Sequence, residues 1–238
     1  MGTALITGLS REMGLGTALA RRYLEDGFTV FGSCRDINQE HLAQLKATWG
    51  DKFIPVAMDV TKLASVKQAS DVIRGNGGHL DVLISNATAT NKAGNEPIDA
   101  GCDTEVMLNA YDVNAVGFLR MVQVFLPFFS EGAKLAAITS ESGSMSYCHR
   151  DMNLDYGMAK AALNFACVTL QRRLGGRGLR VLAIHPGWVQ THPAPPKAHL
   201  SPEESAGHIA KTIANPPAYN EKGNTGVFLW FDGRPFDF

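Results

Sequence analysis

Residues 3–16, TALITGLSREMGLG, form an apolar segment that runs directly into a turn containing several glycines. Residues 3–7 have the character of a buried strand, glycines follow at positions 8, 14 and 16, and a helix-period segment covers residues 17–26 before Gly27. This order is typical of the first βα unit of an α/β domain, where helix-terminal amides can approach a diphosphate closely. A structural turn needs the same residues, so the segment alone is a weak signal.

Strand-like and helix-like segments alternate along the rest of the chain. Further strands are predicted over residues 28–33, 53–58, 80–85, 135–139, 180–184 and 227–231. Helices are predicted over residues 38–49, from a cap at Thr61 to about Gly75, over residues 103–129, and around Tyr156. Apolar strands separated by helices indicate a parallel sheet covered on both faces. We therefore predict an α/β fold, a single doubly wound Rossmann domain over residues 1–238 with a mainly parallel seven-stranded sheet.

Composition narrows the classes of partner. The chain has 238 residues, 45% of them hydrophobic, and a formal net charge of −1, so it lacks the basic field of a nucleic-acid-binding or membrane-binding protein. Its four cysteines are irregularly spaced without a C-x-x-C pair, which predicts free thiols and no metal site. No apolar run is long enough to span a bilayer, and Met1 leads into a strand rather than a leader segment. We expect a cytoplasmic protein.

Tyr156 and Lys160 stand four residues apart in a predicted helix, so their side chains share one helical face. An unperturbed tyrosine has a pKa of about 10 and an unperturbed lysine of about 10.4. A nearby ammonium favours the phenolate, so we expect Lys160 to lower the pKa of Tyr156 towards the range in which a general acid is most effective. The same pair occurs on many solvated helices, so the rest of the chain decides its meaning.

Further motifs occur in the order of one known family. The Thr-Gly turn of residues 7–16, the Asn-Ala pair at 86–87, Ser140 after the fifth strand and the Tyr156–Lys160 pair follow one another. On these motifs the chain resembles the short-chain dehydrogenase/reductase family over nearly its whole length. Two later segments, PGWVQT at residues 186–191 and SPEES at residues 201–205, are similar to a branch of small carbonyl reductases that includes sniffer-like and C-factor-like proteins.

The resemblance implies reversible hydride transfer between NADPH and a carbonyl or alcohol group of a small molecule. Tyr156 would protonate the substrate oxygen, and Ser140 would polarise and orient it. Lys160 would bind the nicotinamide ribose, and Asn114 would bend its helix and hold, through its backbone, a water linked to Lys160.

The connector between Ser140 and Tyr156 contains alternatives. Ser142 and Ser144 compete with Ser140 for the catalytic position, or are turn serines. The connector also contains Tyr147, Cys148, His149 and Asp151, which line the pocket or cap a loop.

The same resemblance implies a dinucleotide site. An NAD-preferring member would carry an acidic residue at the end of the second strand, where this chain has Cys34 and Arg35. Arg35 and Arg11 could grip a 2′-phosphate, which favours NADP over NAD, although Arg35 could instead pair with Asp36 on the surface. The other implied cofactor-binding residues are Gly8, Ser10, Gly14, Leu15, Asp59, Val60, Asn86, Ala87, Tyr156, Lys160, Pro186, Gly187, Val189 and Thr191.

Two positions depart from the family pattern. Either Glu12 holds the place of the middle glycine, beside the anion, or Gly14 and Gly16 form the glycine pair and the turn is two residues longer; we prefer the longer turn. Thr88 replaces a glycine after the Asn-Ala pair, which alters backbone freedom or clearance near the cofactor.

The sequence leaves other functions open. A dinucleotide-binding regulatory protein without turnover is one, and a non-redox relative such as a halohydrin dehalogenase is another, although those carry arginine where this chain has Lys160.

In the family the helix carrying Tyr156 and the preceding long helix pair across a subunit interface, so we expect a homodimer or homotetramer. The prolines at positions 193, 195 and 196 suggest a short, restrained substrate lid, and His185 and His192 have the character of structural or solvated residues.

Overall fold

Seven parallel strands form one sheet in this computed structural model, which describes residues 2–191 and 198–238. The strands are β1 (Thr3–Thr7), β2 (Thr29–Cys34), β3 (Phe53–Ala57), β4 (Leu80–Ser85), β5 (Phe129–Ile138), β6 (Arg180–His185) and β7 (Phe228–Trp230). Their order is β3-β2-β1-β4-β5-β6-β7, with every neighbouring pair parallel. The predicted doubly wound α/β fold is confirmed, and the sheet is wholly parallel.

Helices cover both faces of the sheet. They are α1 (Leu15–Glu25), α2 (Glu40–Trp49), α3 (Leu63–Gly75), α4 (Met107–Tyr111), α5 (Gly117–Phe125), α6 (Leu154–Leu174) and α7 (Pro202–Ala214). Successive strand residues point to opposite faces, so Ala4 and Ile6 pack under α1, α2 and α7, whereas Leu5 packs under α3, α5 and α6. Within the described ranges, none of the helices combines the length and the apolar character needed to cross a membrane.

The strand order reverses at β1, which lies between β2 and β4. The crossover from β3 at one edge back to β4 opens a crevice at the carboxyl ends of β1 and β4, the place where doubly wound sheets bind ligands. Every strand that precedes a predicted site residue ends at this edge.

The prediction of one continuous helix over residues 103–129 is wrong. The chain forms α4, a π-helical turn at Asp112–Val116 and then α5, and Phe129 already belongs to β5. The side-chain amide of Asn114 donates to the carbonyl of Ala110, so it competes with the regular backbone hydrogen bonds of the helix. Pro127, in the short 3₁₀ turn after α5, marks the end of the helical segment.

Two further local features differ from the predictions. Thr61 does not cap α3, because the N-cap is Lys62 and the Thr61 hydroxyl donates instead to Asp59. Helix α7 was not among the predicted helices. It begins with a capping box in which Ser201 and Glu204 satisfy each other's backbone amides.

Candidate active site

The turn between β1 and α1 is built for close approach of a ligand to backbone. Gly14 is the N-cap of α1, no side chain caps the helix, and its first turn has no acidic residue. A Cβ on Gly16 would lie 2.5 Å from the Gly8 carbonyl oxygen, so only glycine allows this helix to pack against the strand end. Glu12 lies before the helix and is exposed. These positions favour the longer turn, with Gly14 and Gly16 as the glycine pair, and the open amides fit a diphosphate.

Asn86 and Thr7 join the carboxyl ends of β4 and β1. The Thr7 hydroxyl accepts the backbone amides of Asn86 and Ala87, each at 3.0 Å. The Asn86 amide donates to the Thr7 carbonyl at 2.9 Å. The Asn86 side chain therefore holds the floor of the crevice together. Ser10 and Arg11, in the turn above it, are exposed.

The ends of β2 and β3 bring Arg35 and Asp59 into electrostatic contact. Burial raises the pKa of Asp59, but hydrogen bonds from Thr61 and the charge of the exposed Arg35 hold it below its ordinary value. The carbonyl of Val60 accepts the guanidinium of Arg120 from α5. Arg35 therefore presents an exposed positive charge that an anion could bind, and the neighbouring Asp59 carboxylate partly offsets this charge.

Ser140 lies in a tight turn that packs directly on α6. Its hydroxyl donates to Glu141 at 2.7 Å and accepts the backbone amide of Ser142 at 3.2 Å. A Cβ on Gly143 would lie 2.6 Å from the backbone carbonyl carbon of Lys160, so glycine is required for this approach. The contact brings Ser140 next to the helix that carries Tyr156 and Lys160.

Burial dominates the chemistry of the Tyr156–Lys160 pair. The Lys160 ammonium lies 5.4 Å from the centre of the Tyr156 ring and donates to the carbonyl of Ile138 at 2.8 Å. Burial raises the pKa of Tyr156 to about 12, against lowering by a hydrogen bond with Ser140. Burial also lowers the pKa of Lys160 to about 7. The predicted lowering of the Tyr156 pKa by Lys160 therefore does not hold here, because Lys160 is itself poorly charged when buried.

Asn114 stabilises the loop after β4. Its side-chain oxygen accepts the Thr88 hydroxyl at 2.7 Å, and its amide donates to the carbonyls of Ala89 and Ala110 at 2.7 and 2.8 Å. Asn114 itself lies in the π-helical turn, and these side-chain contacts join that turn to α4 and to the loop after β4. Thr88, the departure from the family glycine, thus has a structural partner.

The segment after β6 forms the last side of the crevice. Gly187 adopts a left-handed conformation with φ of 80°, and the carbonyl of Pro186 accepts the Ser205 hydroxyl at 2.7 Å. Val189 pairs with Leu200, and the Thr191 amide donates to the Val189 carbonyl. His192 and the lid prolines at positions 193, 195 and 196 lie outside the described residues.

Four polar residues of the site were not among the predicted ones. Asn164, one helical turn beyond Lys160, accepts the Thr139 hydroxyl at 2.6 Å and donates to the Gly143 carbonyl at 3.1 Å. The Asp155 carboxylate accepts hydrogen bonds from the backbone amides of Asn91, in the loop after β4, and of Tyr156. Glu141 and Arg150 form an ion pair beside Ser140. Helical spacing from Lys160 could have indicated Asn164, but nothing in the sequence pairs Glu141 with Arg150.

The parallel sheet, the open first turn and the convergence of Ser140, Tyr156 and Lys160 define an oxidoreductase of the Rossmann type. A family model described as short chain dehydrogenase matches residues 2–199. The chain belongs to the short-chain dehydrogenase family.

Similar proteins agree with this assignment. The short-chain dehydrogenase srdF of Neurospora crassa is 31% identical, over 93% of this chain and 95% of its own. The NADPH-bound carbonyl reductase from chicken fatty liver is 28% identical, with a TM-score of 0.85 over 99% of this chain and 98% of its own. The carbonyl reductase Sniffer of D. melanogaster is 25% identical, with a TM-score of 0.89 over the whole of both chains.

Proposed function

We propose that this chain is an NADP-dependent carbonyl reductase, working reversibly as an alcohol dehydrogenase on small molecules, in which one domain both binds the cofactor and performs catalysis. The observation that carries the proposal is the meeting of Ser140, Tyr156 and Lys160 at the carboxyl end of β5, beside the crevice where the strand order reverses. The carbonyl reductases among its structural neighbours support the same reaction.

NADPH, when bound, supplies the hydride that reduces the carbonyl carbon. Tyr156 donates its phenolic proton to the carbonyl oxygen. Since its pKa is about 12, the phenol is protonated at neutral pH and available as an acid. Ser140 contacts the same oxygen and fixes its position. Lys160, held by the Ile138 carbonyl, would hold the ribose hydroxyls of the bound cofactor, and hydrogen bonds to those hydroxyls would favour its charged form.

Preference for NADP over NAD rests on the end of β2. Arg35 is exposed at this end, and Cys34 stands where an acidic residue would bind a ribose 2′-hydroxyl. A guanidinium binds a phosphate through paired, charge-assisted hydrogen bonds. Asp59 is close enough to weaken this charge, which makes Arg35 a direct test of the preference.

A homodimer or homotetramer that associates through α4, α5 and α6 is part of the proposal. Leu108, Leu119, Met158 and Phe165 expose large apolar side chains on these three helices. Large apolar side chains that are exposed to water favour association with a second copy.

The decisive experiment mixes the protein with NADPH and a panel of ketones, aldehydes and diketones, and follows NADPH absorbance and fluorescence. We expect NADPH binding and turnover of at least one compound, with Tyr156→Phe binding NADPH normally but losing turnover by roughly two to four orders of magnitude. Absence of NADPH binding would refute the proposed function. Binding without turnover of any compound would favour a regulatory protein, and full activity of the Tyr156→Phe variant would exclude the mechanism.

A further inference from the structure

The chain after β7 folds back along that strand and reaches the loop between β5 and α6. A turn at Gly233, whose φ is 87°, reverses the chain, and the Phe236 amide then donates to the Phe228 carbonyl of β7 at 2.9 Å. We call residues 236–238 the tail and residues 144–152 the connector loop. The tail lies along β7, the last strand of the sheet order, and its residues meet the connector loop.

Three hydrogen bonds join the connector loop to backbone carbonyls of the tail. The Ser144 hydroxyl donates to the Asp237 carbonyl at 2.6 Å. The Phe238 carbonyl accepts the Ser146 amide at 3.1 Å and the Ser146 hydroxyl at 2.6 Å. Ser144 is only 1% exposed, so its hydroxyl is held by the tail and is not available to a substrate in this arrangement.

Aromatic packing joins the same two segments. The Tyr147 ring of the connector loop lies 4.8 Å, centre to centre, from the ring of Phe236, which is buried. Phe236 also packs on Trp230 of β7 at 4.6 Å and on His185 at the end of β6 at 5.6 Å. Aromatic pairs at such separations are favourable beyond the area that they bury. The tail therefore fastens the connector loop to the ends of β6 and β7.

The second half of the connector loop reaches both sides of the catalytic crevice. Arg150 donates to Glu141, whose carboxylate contacts the Ser140 hydroxyl. The Arg150 guanidinium carbon also lies 5.9 Å from the centre of the Trp188 ring, in the segment after β6. The loop thus runs from the Ser140 turn to the segment after β6, so a substrate that extends beyond its reacting group would meet it.

The connector loop has little burial of its own to hold it in place. Residues 145–152 are all exposed, and a segment of this kind depends on its few anchoring contacts. The Ser140 turn, in contrast, is held by the close packing of Gly143 on α6. Loss of the tail contacts should therefore release the loop and leave Ser140 and Tyr156 in place.

We infer that the tail is a substrate-positioning element: by anchoring the connector loop it fixes one wall of the substrate pocket, and it takes no part in hydride or proton transfer. This inference rests on the proposed function. Three strands separate β7 from β1, a distance of about 19 Å at ordinary strand spacing, so the diphosphate turn after β1 lies beyond the reach of the tail. Release of the loop should raise KM for the substrate and leave kcat and NADPH affinity nearly unchanged.

The anchoring itself can be measured without a substrate. Chymotrypsin can cleave after Tyr147 when the loop opens and the ring leaves Phe236. In a double variant, Ser144→Ala with Ser146→Ala, both hydroxyl bonds to the tail are lost, and we expect cleavage at this site to become roughly tenfold faster. Ser146→Thr keeps a hydroxyl and should be cleaved like the wild type. Fragment masses identify the cleavage site.

Steady-state kinetics test the effect on the substrate. Among the carbonyl compounds that the wild type reduces, we expect the double variant to raise KM roughly tenfold for the bulkiest and much less for the smallest. Its kcat and its NADPH dissociation constant should stay within roughly twofold of the wild type. Ser70→Ala is the matched control, because it removes a hydroxyl bond of 2.7 Å to the Lys67 carbonyl on α3, away from the connector loop.

Four outcomes would overturn the inference. Unchanged cleavage in the double variant would show that the tail does not anchor the loop, and faster cleavage with unchanged KM would show that the anchor does not serve the substrate. A fall in kcat at constant KM would assign the two serines to the chemistry, and equal effects of Ser70→Ala would make the changes unspecific. A wild type without turnover overturns the proposed function and this inference with it, and only in that case is the wild type itself inactive.

Discussion

Lys160 illustrates how burial changes the meaning of a sequence motif at the scale of one residue. Its spacing from Tyr156 predicts an ammonium that acidifies a phenol, but the side chain is only 2% exposed and bonds a single carbonyl. Removal of water disfavours both the ammonium and the phenolate. Burial therefore lowers the pKa of Lys160 and raises the pKa of Tyr156. The identity of the pair was therefore predictable, whereas its resting charge depends on packing that the sequence does not display.

The lowered pKa of Lys160 predicts a pH dependence of stability. Between its folded pKa of about 7 and its unfolded value of about 10.4, the unfolded chain binds a proton that the folded chain has released. Lys160 thus makes the free energy of unfolding rise with pH in this window, by at most about 1.4 kcal/mol per pH unit. Lys160→Met should remove this rise, measured by urea unfolding at pH 7, 8 and 9. The exposed Lys67→Met serves as control, and parallel curves for Lys160→Met and the wild type would contradict the assignment.

Arg35 carries the second residue-scale prediction. Arg35→Ser removes the guanidinium proposed to hold the 2′-phosphate, and a charge-assisted hydrogen bond of about 1.5–3 kcal/mol corresponds to roughly 10- to 100-fold weaker NADPH binding. NADH has no 2′-phosphate, so its affinity should change little. Both dissociation constants can be measured by fluorescence titration. Arg74→Ser, an exposed arginine on α3, is the control, and equal losses for NADPH and NADH would remove the phosphate contact.

At the scale of elements, strands were predicted better than the irregular helices between them. The strand predicted over residues 80–85 has the same bounds as β4, because a short apolar run between polar turns has few alternative structures. The helix over residues 103–129 failed because Asn114 bonds to Ala110 and to the loop after β4, a contact between segments remote in sequence. Sequence motifs predicted many residues of the candidate site. The Glu141–Arg150 ion pair, in contrast, depends on how one loop folds back on β5.

The docking of the Ser140 turn on α6 yields an element-scale prediction. In Gly143→Ala the new Cβ would lie 2.6 Å from the Lys160 carbonyl carbon and 2.7 Å from the Ala161 amide, both backbone atoms that cannot turn aside. The turn must move away from α6, which should cost about 1–3 kcal/mol of stability and lower kcat by displacing Ser140 from Tyr156. Thermal unfolding and steady-state kinetics measure the two effects.

Gly207→Ala is the matched control for this change. It lies in α7, and a Cβ there meets no atom within 4 Å, so the variant should gain about 0.5–1 kcal/mol and keep its activity. If Gly143→Ala behaved like Gly207→Ala, close docking of the turn would not be what positions Ser140.

For the whole molecule, the two faces of the sheet are covered unequally. Helices α1, α2 and α7 seal one face around a continuous apolar cluster, and α3, α5 and α6 seal the other. On this side, α6 and the neighbouring α4 also turn apolar side chains outward: Phe165 is 74% exposed, Leu108 70% and Met158 62%. Met158 and Phe165 are seven residues apart and share one stripe of α6, the helix that carries Tyr156. A second copy that covers this stripe would also restrain the catalytic helix.

Phe165→Glu tests this arrangement. A carboxylate in this stripe would lose its water against the second copy, which is unfavourable. By size exclusion with light scattering, we therefore expect the wild type to elute as a dimer or tetramer and the variant as a smaller species. Leu63→Glu is the control, since Leu63 is 41% exposed on α3 and should leave assembly unchanged. A monomeric wild type would refute the proposed interface. If Phe165→Glu dissociates the protein and also lowers kcat while NADPH affinity is kept, the interface supports the catalytic helix rather than the cofactor site.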